Sequence, residues 1–492
     1  DDGRTGEYFN VDFVNTVGET GMNCGGIVSD FDGRIWTAEE WFRTSNAKIN
    51  YDDTGVRDTT DFTLNTPEFP EYTGQTIAKY ENLNWMVEID PKQAVAIRKQ
   101  YNWGRQPFEG GVVLPDNKTV FLGPDNTPAY FGKFVADTPG DFTSGSLYVY
   151  SADRSENWVE IDNSSLDNML NHFDLASQAG ATMFNRIEWV TYDAATNAVY
   201  FTATGRDNPG SRLAAAEELG AKVGEHIQIR SVQQGLGVNG WSSDDYVDYY
   251  GRIMKYDLDS EEISVFMEGG PDVAEKNVSI CDYPEVHLSN PDGLTTYVSP
   301  SGKSYLIIQE DLNGDSYGRT PTGTFGNFGR LRTCEMFALD LSIEEPTYED
   351  LVRIAIIPYG AEITGARQTA DGKTLLVNSQ HPNEDNPYPY NNSLTIAING
   401  IDEVLEGLIS STEEEEKLID NNNDDESTFN VFPNPTSRTV TFGEATDVAI
   451  YDNTGKRIKV YRDRKSIDVS DLPAGIYFLK NAENKTAKLI VQ

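Results

Sequence analysis

Basic residues, histidine and cysteine are all scarce in this chain, and each shortage closes a route to function. Thirty-nine Lys and Arg stand against 79 Asp and Glu in 492 residues, a formal charge of −40. Phosphate backbones bind through Lys and Arg, so nucleic acid is disfavoured as a partner. Four histidines are present, His172, His226, His287 and His381, which argues against a three-histidine zinc site. No run of 18 apolar residues occurs, so no transmembrane segment is expected. The three cysteines are Cys24, Cys281 and Cys334. If Cys281 and Cys334 pair, Cys24 is left over as a thiol that needs explaining. The chain opens DDGRTGEYF, without an initiator Met, and reads as a mature form freed of a signal peptide. The acidic surplus has two readings, solubility in salty surroundings or the binding of hard divalent cations through carboxylate oxygens.

What is abundant points to β-structure. There are 25 Tyr, 22 Phe and 42 Gly, a profile of pleated strands and tight turns. One pattern recurs five times: an apolar strand, a turn rich in Asp, Asn, Gly or Ser, and a second alternating strand. It begins at GGIVSDFDGRIWTA and returns after Glu109, Glu188, Asp292 and Glu362. Further strand pairs lie between the copies. The turn centres, near residues 32, 116, 195, 301 and 371, are farther apart than the ~40–45 residues of a plain propeller blade, so loops are inserted, notably at 205–248. The expected fold is all-β, a six-bladed β-propeller with insertions, whose sixth blade no hairpin marks. Helical pattern is confined to Ser211–Ser231 inside that insertion, with no chemistry attached.

The composition changes near the C-terminus. Residues 411–427 include STEEEEKLIDNNNDDES, too polar to be buried and read as a solvated linker. Residues 428–492 carry ten Lys and Arg against seven Asp and Glu, in short alternating strands. These predict a small Ig-like β-sandwich, with residues 1–410 forming the propeller. A propeller needs no partner to close its sheets, so a monomer is expected.

Inner strands of a propeller surround a channel, and equivalent strand ends converge there. The residues just before the five inner strands are Cys24, Glu109, Glu188, Asp292 and Glu362, and the ends of their partner strands add Glu39, Glu40, Asp125, Glu310, Asp311 and Gln380-His381. One thiol and about nine carboxylates at one rim cannot all ionise without cations between them. Carboxylates suit Ca2+, and a thiolate beside them suits a transition ion such as iron. Arg186 stands two residues before Glu188 and so on the same strand face. It reads as an anion clamp for a group such as phosphate or as a structural salt bridge to Glu188. Lys133 in YFGKFV reads as a second positive contact for the same anion.

These motifs resemble the PhoX family of secreted alkaline phosphatases over about residues 20–395. The carriers are TGMNCGGIVSDFDGRIWTAEEW, FNRIEW, NPDG, and GAEITG followed by LLVNSQHP. The resemblance implies phosphate-ester hydrolysis at an iron–calcium cluster, with a pair of Fe3+ and two or three Ca2+ ions. By position, Cys24, Glu39, Glu109, Glu188 and Asp292 would be iron and bridging ligands. Glu40, Asp125, Asp311 and Glu362 would lie on the calcium side, and Arg186 would contact phosphate. Catalysis would rest on Arg186, Glu188 and Cys24. The tail, through VFPNP, IYDNTGKRI and LPAGIYFLK, resembles the type A sorting domain of the type IX secretion system. That implies a secreted or cell-surface protein exported across the outer membrane of a Bacteroidota-type bacterium, with the tail docking on the secretion machinery. Two rival readings are a calcium-only propeller hydrolase (lactonase, phosphotriesterase or phytase) and a non-catalytic calcium-binding surface protein.

Overall fold

In the computed structural model, residues 10–40, 58–206, 208–270, 288–311, 333–406, 431–432, 434, 436–451, 456–482 and 485–491 are described. Cys281 and the acidic linker lie outside them. The chain divides into two compact units, Asp1–Val404 and Leu405–Gln492.

In the first unit the five sequence hairpins form as expected. They pair β1 (Asn23–Val28) with β2 (Ile35–Glu39), β3 (Phe108–Val113) with β4 (Thr119–Pro124), β5 (Ile187–Asp193) with β6 (Ala198–Ala203), β7 (Pro291–Val298) with β8 (Ser304–Glu310), and β9 (Glu362–Gln368) with β10 (Thr374–Gln380). Each hairpin opens an antiparallel sheet that runs outward in chain order: four strands in the first, third and fourth, five in the second, three in the fifth. The leading strands pack on one another in succession, β1 on β3, β3 on β5, β5 on β7 and β7 on β9. Sheets set side by side by their first strands are a β-propeller. Five such sheets, and no sixth, occur among the described residues.

Aromatic side chains fill the wedges between sheets. Phe131 stacks on Phe201 at 4.4 Å and on Phe121 at 5.2 Å, joining the second and third sheets. Trp36 of the first sheet meets Trp103 at 5.8 Å and Phe142 of the second at 5.5 Å. Large flat rings suit a wedge that widens away from the channel, because they bury much area and bring few polar atoms.

Near the channel the wedge narrows and glycines replace rings. The ladder slips at Asn23/Gly26 in the first hairpin, Phe108/Gly110 in the second, Ile187/Val190 in the third, Pro291/Leu294 in the fourth and Thr364/Arg367 in the fifth. A bulge bends its strand and re-aims a side chain. In the first four hairpins the residue inside the slip is Cys24, Glu109, Glu188 or Asp292. The strands also approach closely: a Cβ on Gly25 would sit 2.2 Å from the Glu109 carbonyl oxygen, and one on Gly110 would sit 2.8 Å from that of Glu188.

The helical stretch in the insertion is two helices, Gly210–Leu219 and Glu225–Gln233, instead of the single one expected. Gly220, at φ +121°, stops the first. The two-residue strand Lys222–Val223 then pairs in parallel with Thr182–Met183. In the second unit the strands Val431–Phe432, Thr439–Tyr451, Arg457–Asp468, Gly475–Asn481 and Thr486–Val491 join one sheet, with Val440, Phe442, Val448, Ile450, Leu479 and Leu489 in its core. Two separate sandwich layers are not distinguished in it. The long strand Thr439–Tyr451 serves both ends, pairing with Val431–Phe432 at one and with Gly475–Asn481 at the other.

The close approach at the channel generates a prediction. Gly25→Ala should destabilise the first unit by about 1–3 kcal/mol through overpacking. A thermal midpoint within 1 °C of the parent would show that β1 and β3 can move apart.

Candidate metal centre

The register of the hairpins decides which side chains reach the channel. Asn23, Phe108, Ile187 and Pro291 pair with Glu39, Pro124, Ala203 and Glu310, the last residues of the partner strands. Cys24, Glu109, Glu188 and Asp292 follow these residues, and Glu40, Asp125, Thr204 and Asp311 follow their partners, so in each hairpin the two lie diagonally on one face. The fifth hairpin is offset by one: Glu362 itself pairs with Gln380, and its bulge comes later along the strand.

The side chains so assembled are mutually engaged. Cys24 Sγ donates to Glu109 Oε1 at 2.9 Å. Thr204 Oγ1 donates to Glu188 Oε2 at 2.6 Å. Gln380 Nε2 donates to Glu362 Oε2 at 3.2 Å. Asp311 N–H donates to the Asn290 carbonyl at 3.0 Å, and its carboxylate acts on Arg186, Glu188 and Glu362. Arg186 Nε donates to Asp125 Oδ1 at 2.8 Å, and its Nη2 contacts Glu188 Oε1. Arg186 has φ +65°, uncommon for a residue with a side chain and characteristic of positions that the surroundings over-determine. Arg186 therefore makes the salt bridge to Glu188 and lies inside the acidic cluster as well.

Two of the expected rim acids do not join, the expected ligand Glu39 and Glu310. Glu39 is wholly buried with both oxygens taken: Lys99 Nζ donates to Oε1 at 2.8 Å and Oε2 at 3.1 Å, and Trp85 N–H donates to Oε2 at 3.1 Å. Glu39 and Glu40 are neighbours on an extended chain and so point to opposite faces. Only Glu40 reaches the rim. Glu310 repeats the pattern, accepting from Ser289 N–H and Glu335 N–H, each at 2.9 Å. Lys133 is also elsewhere. It lies in Gly132–Thr138, the third strand of its sheet, with its Nζ 4.1 Å from the Trp158 ring centre, and burial pushes its amine down to about 8. The residue sequence reasoning missed is Thr204, which carries no charge to draw notice. Its signal was positional, since it ends its hairpin where Glu40, Asp125 and Asp311 end theirs.

The electrostatics are those of a site short of positive charge. Seven carboxyls, Glu40, Glu109, Asp125, Glu188, Asp292, Asp311 and Glu362, share one rim with Arg186. Burial, then Asp125 and Glu188, push the Glu40 carboxyl up to about 8. Burial and Asp125 do the same to Glu188, against the pull of Arg186. Burial, Asp311 and Glu188 raise Glu362 to about 8. Glu109 and Asp292 are raised well above the usual range, by burial first and by neighbouring carboxylates second. The Cys24 thiol is pushed far up by burial, Glu109, Glu40 and Asp292, so ionising it calls for a cation.

The residues present fit metal ions. Ligand atoms of Glu40, Glu109 and Asp125 lie within 4.8 Å of one another, as do those of Glu109, Glu188 and Asp292. Glu109 belongs to both groups, the position of a bridging carboxylate. Asp292 Oδ1 is buried without a hydrogen-bond partner, an acceptor that a cation would satisfy.

Comparison with known proteins follows the same outline. Residues 7–383 match the family described as Alkaline phosphatase PhoX, and residues 430–492 match the Secretion system C-terminal sorting domain. Among solved structures, Pseudomonas fluorescens PhoX in complex with vanadate, a transition state analogue, superposes with a TM-score of 0.54 at 21% identity, covering 78% of this chain and 70% of that one. Kuenenia stuttgartiensis hydrazine synthase reaches a TM-score of only 0.32 at 9% identity, over 99% of this chain and 98% of that one. No curated protein matches the sequence.

The proton balance of the rim gives a prediction. Carboxyls ordinarily at 4.5 titrate near 8 in the folded protein, so folding takes up protons between those values. The metal-free protein is then most stable at acid pH and loses stability as pH rises through about 8. With chelator present, the thermal midpoint should fall from pH 5 to pH 8. Divalent cations at about 100 times their dissociation constant should restore about 2.7 kcal/mol. A chelated protein whose midpoint rises over that range would contradict the raised carboxyls.

Proposed function

The chain belongs to the alkaline phosphatase PhoX family of phosphoric-ester hydrolases, and from that premise we propose that the acidic rim is its catalytic centre, loaded with iron and calcium. The observation that carries this reading is the convergence, among the described residues, of a thiol, seven carboxyls and Arg186 at the hairpin ends. Cys24, Glu109, Glu188 and Asp292 would hold the iron side, because the thiol is a soft ligand and Glu109 is placed to bridge. Glu40, Asp125, Asp311 and Glu362 would hold the calcium side with oxygen ligands alone. A calcium-only hydrolase or a calcium-binding surface protein would have no need of Cys24 among these acids.

Bound metal ions would polarise the phosphoryl oxygens and activate the attacking oxygen. The remaining work falls to residues of the chain. Arg186 supplies planar N–H donors for two phosphoryl oxygens and stabilises the charge that builds on them. Asp125 and Glu188, which hold its guanidinium, set its direction. Thr204 keeps Glu188 oriented through the 2.6 Å hydrogen bond to Oε2. The substrates are small phosphate esters, and the product is inorganic phosphate.

The sorting domain over residues 430–492 suggests export or display at the cell surface. We assign that export to a type IX system across a Bacteroidota-type outer membrane, where released phosphate would be available to the cell.

Chelation of the metals should abolish hydrolysis of p-nitrophenyl phosphate. Cys24→Ser should lower bound iron, read by elemental analysis. Arg186→Ala should lower kcat/KM by about 100- to 1000-fold, as loss of a transition-state donor does. Iron-free protein with full activity would overturn the cluster assignment.

A further inference from the structure

The insertion between β6 and the next strand of its sheet ends at a buried ion pair that no part of the reaction described so far uses. Asp248 and Arg252 are wholly buried and joined by two parallel hydrogen bonds, Arg252 Nη1 to Asp248 Oδ2 and Nη2 to Oδ1, each 2.9 Å. Arg252 Nε also reaches Glu268 Oε2 at 3.2 Å. A carboxylate clamped this way has its position set to a fraction of an ångström.

The second contact of Asp248 leads to the rim. Asn185 Nδ2 donates to Asp248 Oδ2 at 3.2 Å, and Asn185 Oδ1 accepts from Thr127 Oγ1 at 3.1 Å. The amide is thereby fixed at both ends, with no exposure to water. The next residue is Arg186, in its left-handed conformation. The backbone on either side is tied to the same place: Arg206 N–H donates to the Asp248 carbonyl at 2.7 Å, Gly205 N–H to the Asn185 carbonyl at 3.1 Å, and Thr204 N–H to the Arg186 carbonyl at 3.0 Å. The approach is so tight that a Cβ on Gly205 would lie 2.2 Å from the Asp248 carbonyl oxygen.

We propose that Asp248, held by Arg252, is a positioning residue for Arg186, acting through Asn185. The left-handed turn at Arg186 is unfavourable for a residue with a Cβ; Arg186 N–H donates to the Asn126 carbonyl at 2.9 Å, and the Asp248–Asn185–Thr127 chain fixes the residue before it. The insertion is thus part of the phosphate site, though none of its residues is assigned a contact with substrate. The inference rests on the reading of Arg186 as the phosphate contact.

The test is the inhibition of p-nitrophenyl phosphate hydrolysis by inorganic phosphate in the metal-loaded, full-length protein. Parent, Asp248→Asn, Arg186→Ala and the double variant are compared, with metal content and thermal midpoint measured for each. Asp248→Asn should weaken phosphate binding on the order of 10- to 100-fold, the cost of a small misplacement of a binding group, with metal content unchanged. In the Arg186→Ala background the same substitution should change phosphate binding by less than about two-fold, because its effect travels through the missing side chain. An equal loss in both backgrounds, or a fall in midpoint with phosphate binding intact, overturns the proposal. If Asp248→Asn fails to fold, Thr127→Val removes one hydrogen bond from Asn185 and replaces it in the same comparison. Its expected loss is smaller, and an unchanged inhibition constant again overturns the proposal. If Arg186→Ala itself leaves phosphate inhibition intact, the assignment of Arg186 fails, whereas a failure of Asp248→Asn alone removes only the positioning role.

Discussion

Repulsion among like charges at the channel rim is the constraint from which the rest of this structure can be read. Seven carboxyls and a thiol share a small volume with one guanidinium, and most are out of reach of bulk water. Left alone, such a group of acids keeps its protons, as the upward shifts of Glu40, Glu188 and Glu362 to about 8 show. Such an arrangement persists because the scaffold is stiff enough to impose it. The aromatic wedges between sheets supply that stiffness, and the glycines beside Cys24 and Glu109 let the inner strands come close enough for side chains from successive hairpins to touch.

The same geometry separates rim carboxylates from neighbours of identical chemistry. Glu39 and Glu40 are adjacent glutamates, yet one is neutralised by Lys99 in the interior and the other faces the channel. Glu310 and Asp311 divide in the same way. A strand reverses the direction of its side chains at each residue, so a one-residue difference decides between a carboxylate held in the interior and one at the rim. Thr204 makes the complementary point, as an uncharged residue at a rim position whose hydroxyl holds Glu188 in place. The insertion extends the principle outward: Asp248 reaches the rim only through Asn185, whose neighbour in the chain is Arg186.

Much of this was legible in the chain. Five recurring hairpins, the turn residues that define them and the acids at their ends were enough to predict an all-β propeller and an acidic rim, because strand alternation and turn chemistry are local. Cys24, Glu40, Glu109, Asp125, Glu188, Asp292, Asp311 and Glu362 came from asking which residues stand at equivalent hairpin ends, and Arg186 from its spacing to Glu188; the same question also gave Glu39 and Glu310, which are engaged elsewhere. The break in the insertion's helix was missed although Gly220 marks it, since pairing of Lys222–Val223 with a distant strand overrides the local pattern.

What the sequence determined by itself is the inventory: how many acids lie at strand ends, that a lone thiol stands among them, and that the tail differs from the body. The tertiary structure alone decided which of those acids meet. Membership of the rim depends on the register of each hairpin and on where its bulge falls. Those are set by pairing across each hairpin, such as Asn23 with Glu39, and by contacts between hairpins whose turns are roughly 70 to 106 residues apart. A buried partner such as Lys99, which withdraws Glu39, or Asn185, which links Asp248 to Arg186, becomes visible only once the chain has folded, because the forces involved act through space over a few ångströms and leave no periodic trace in the order of the residues.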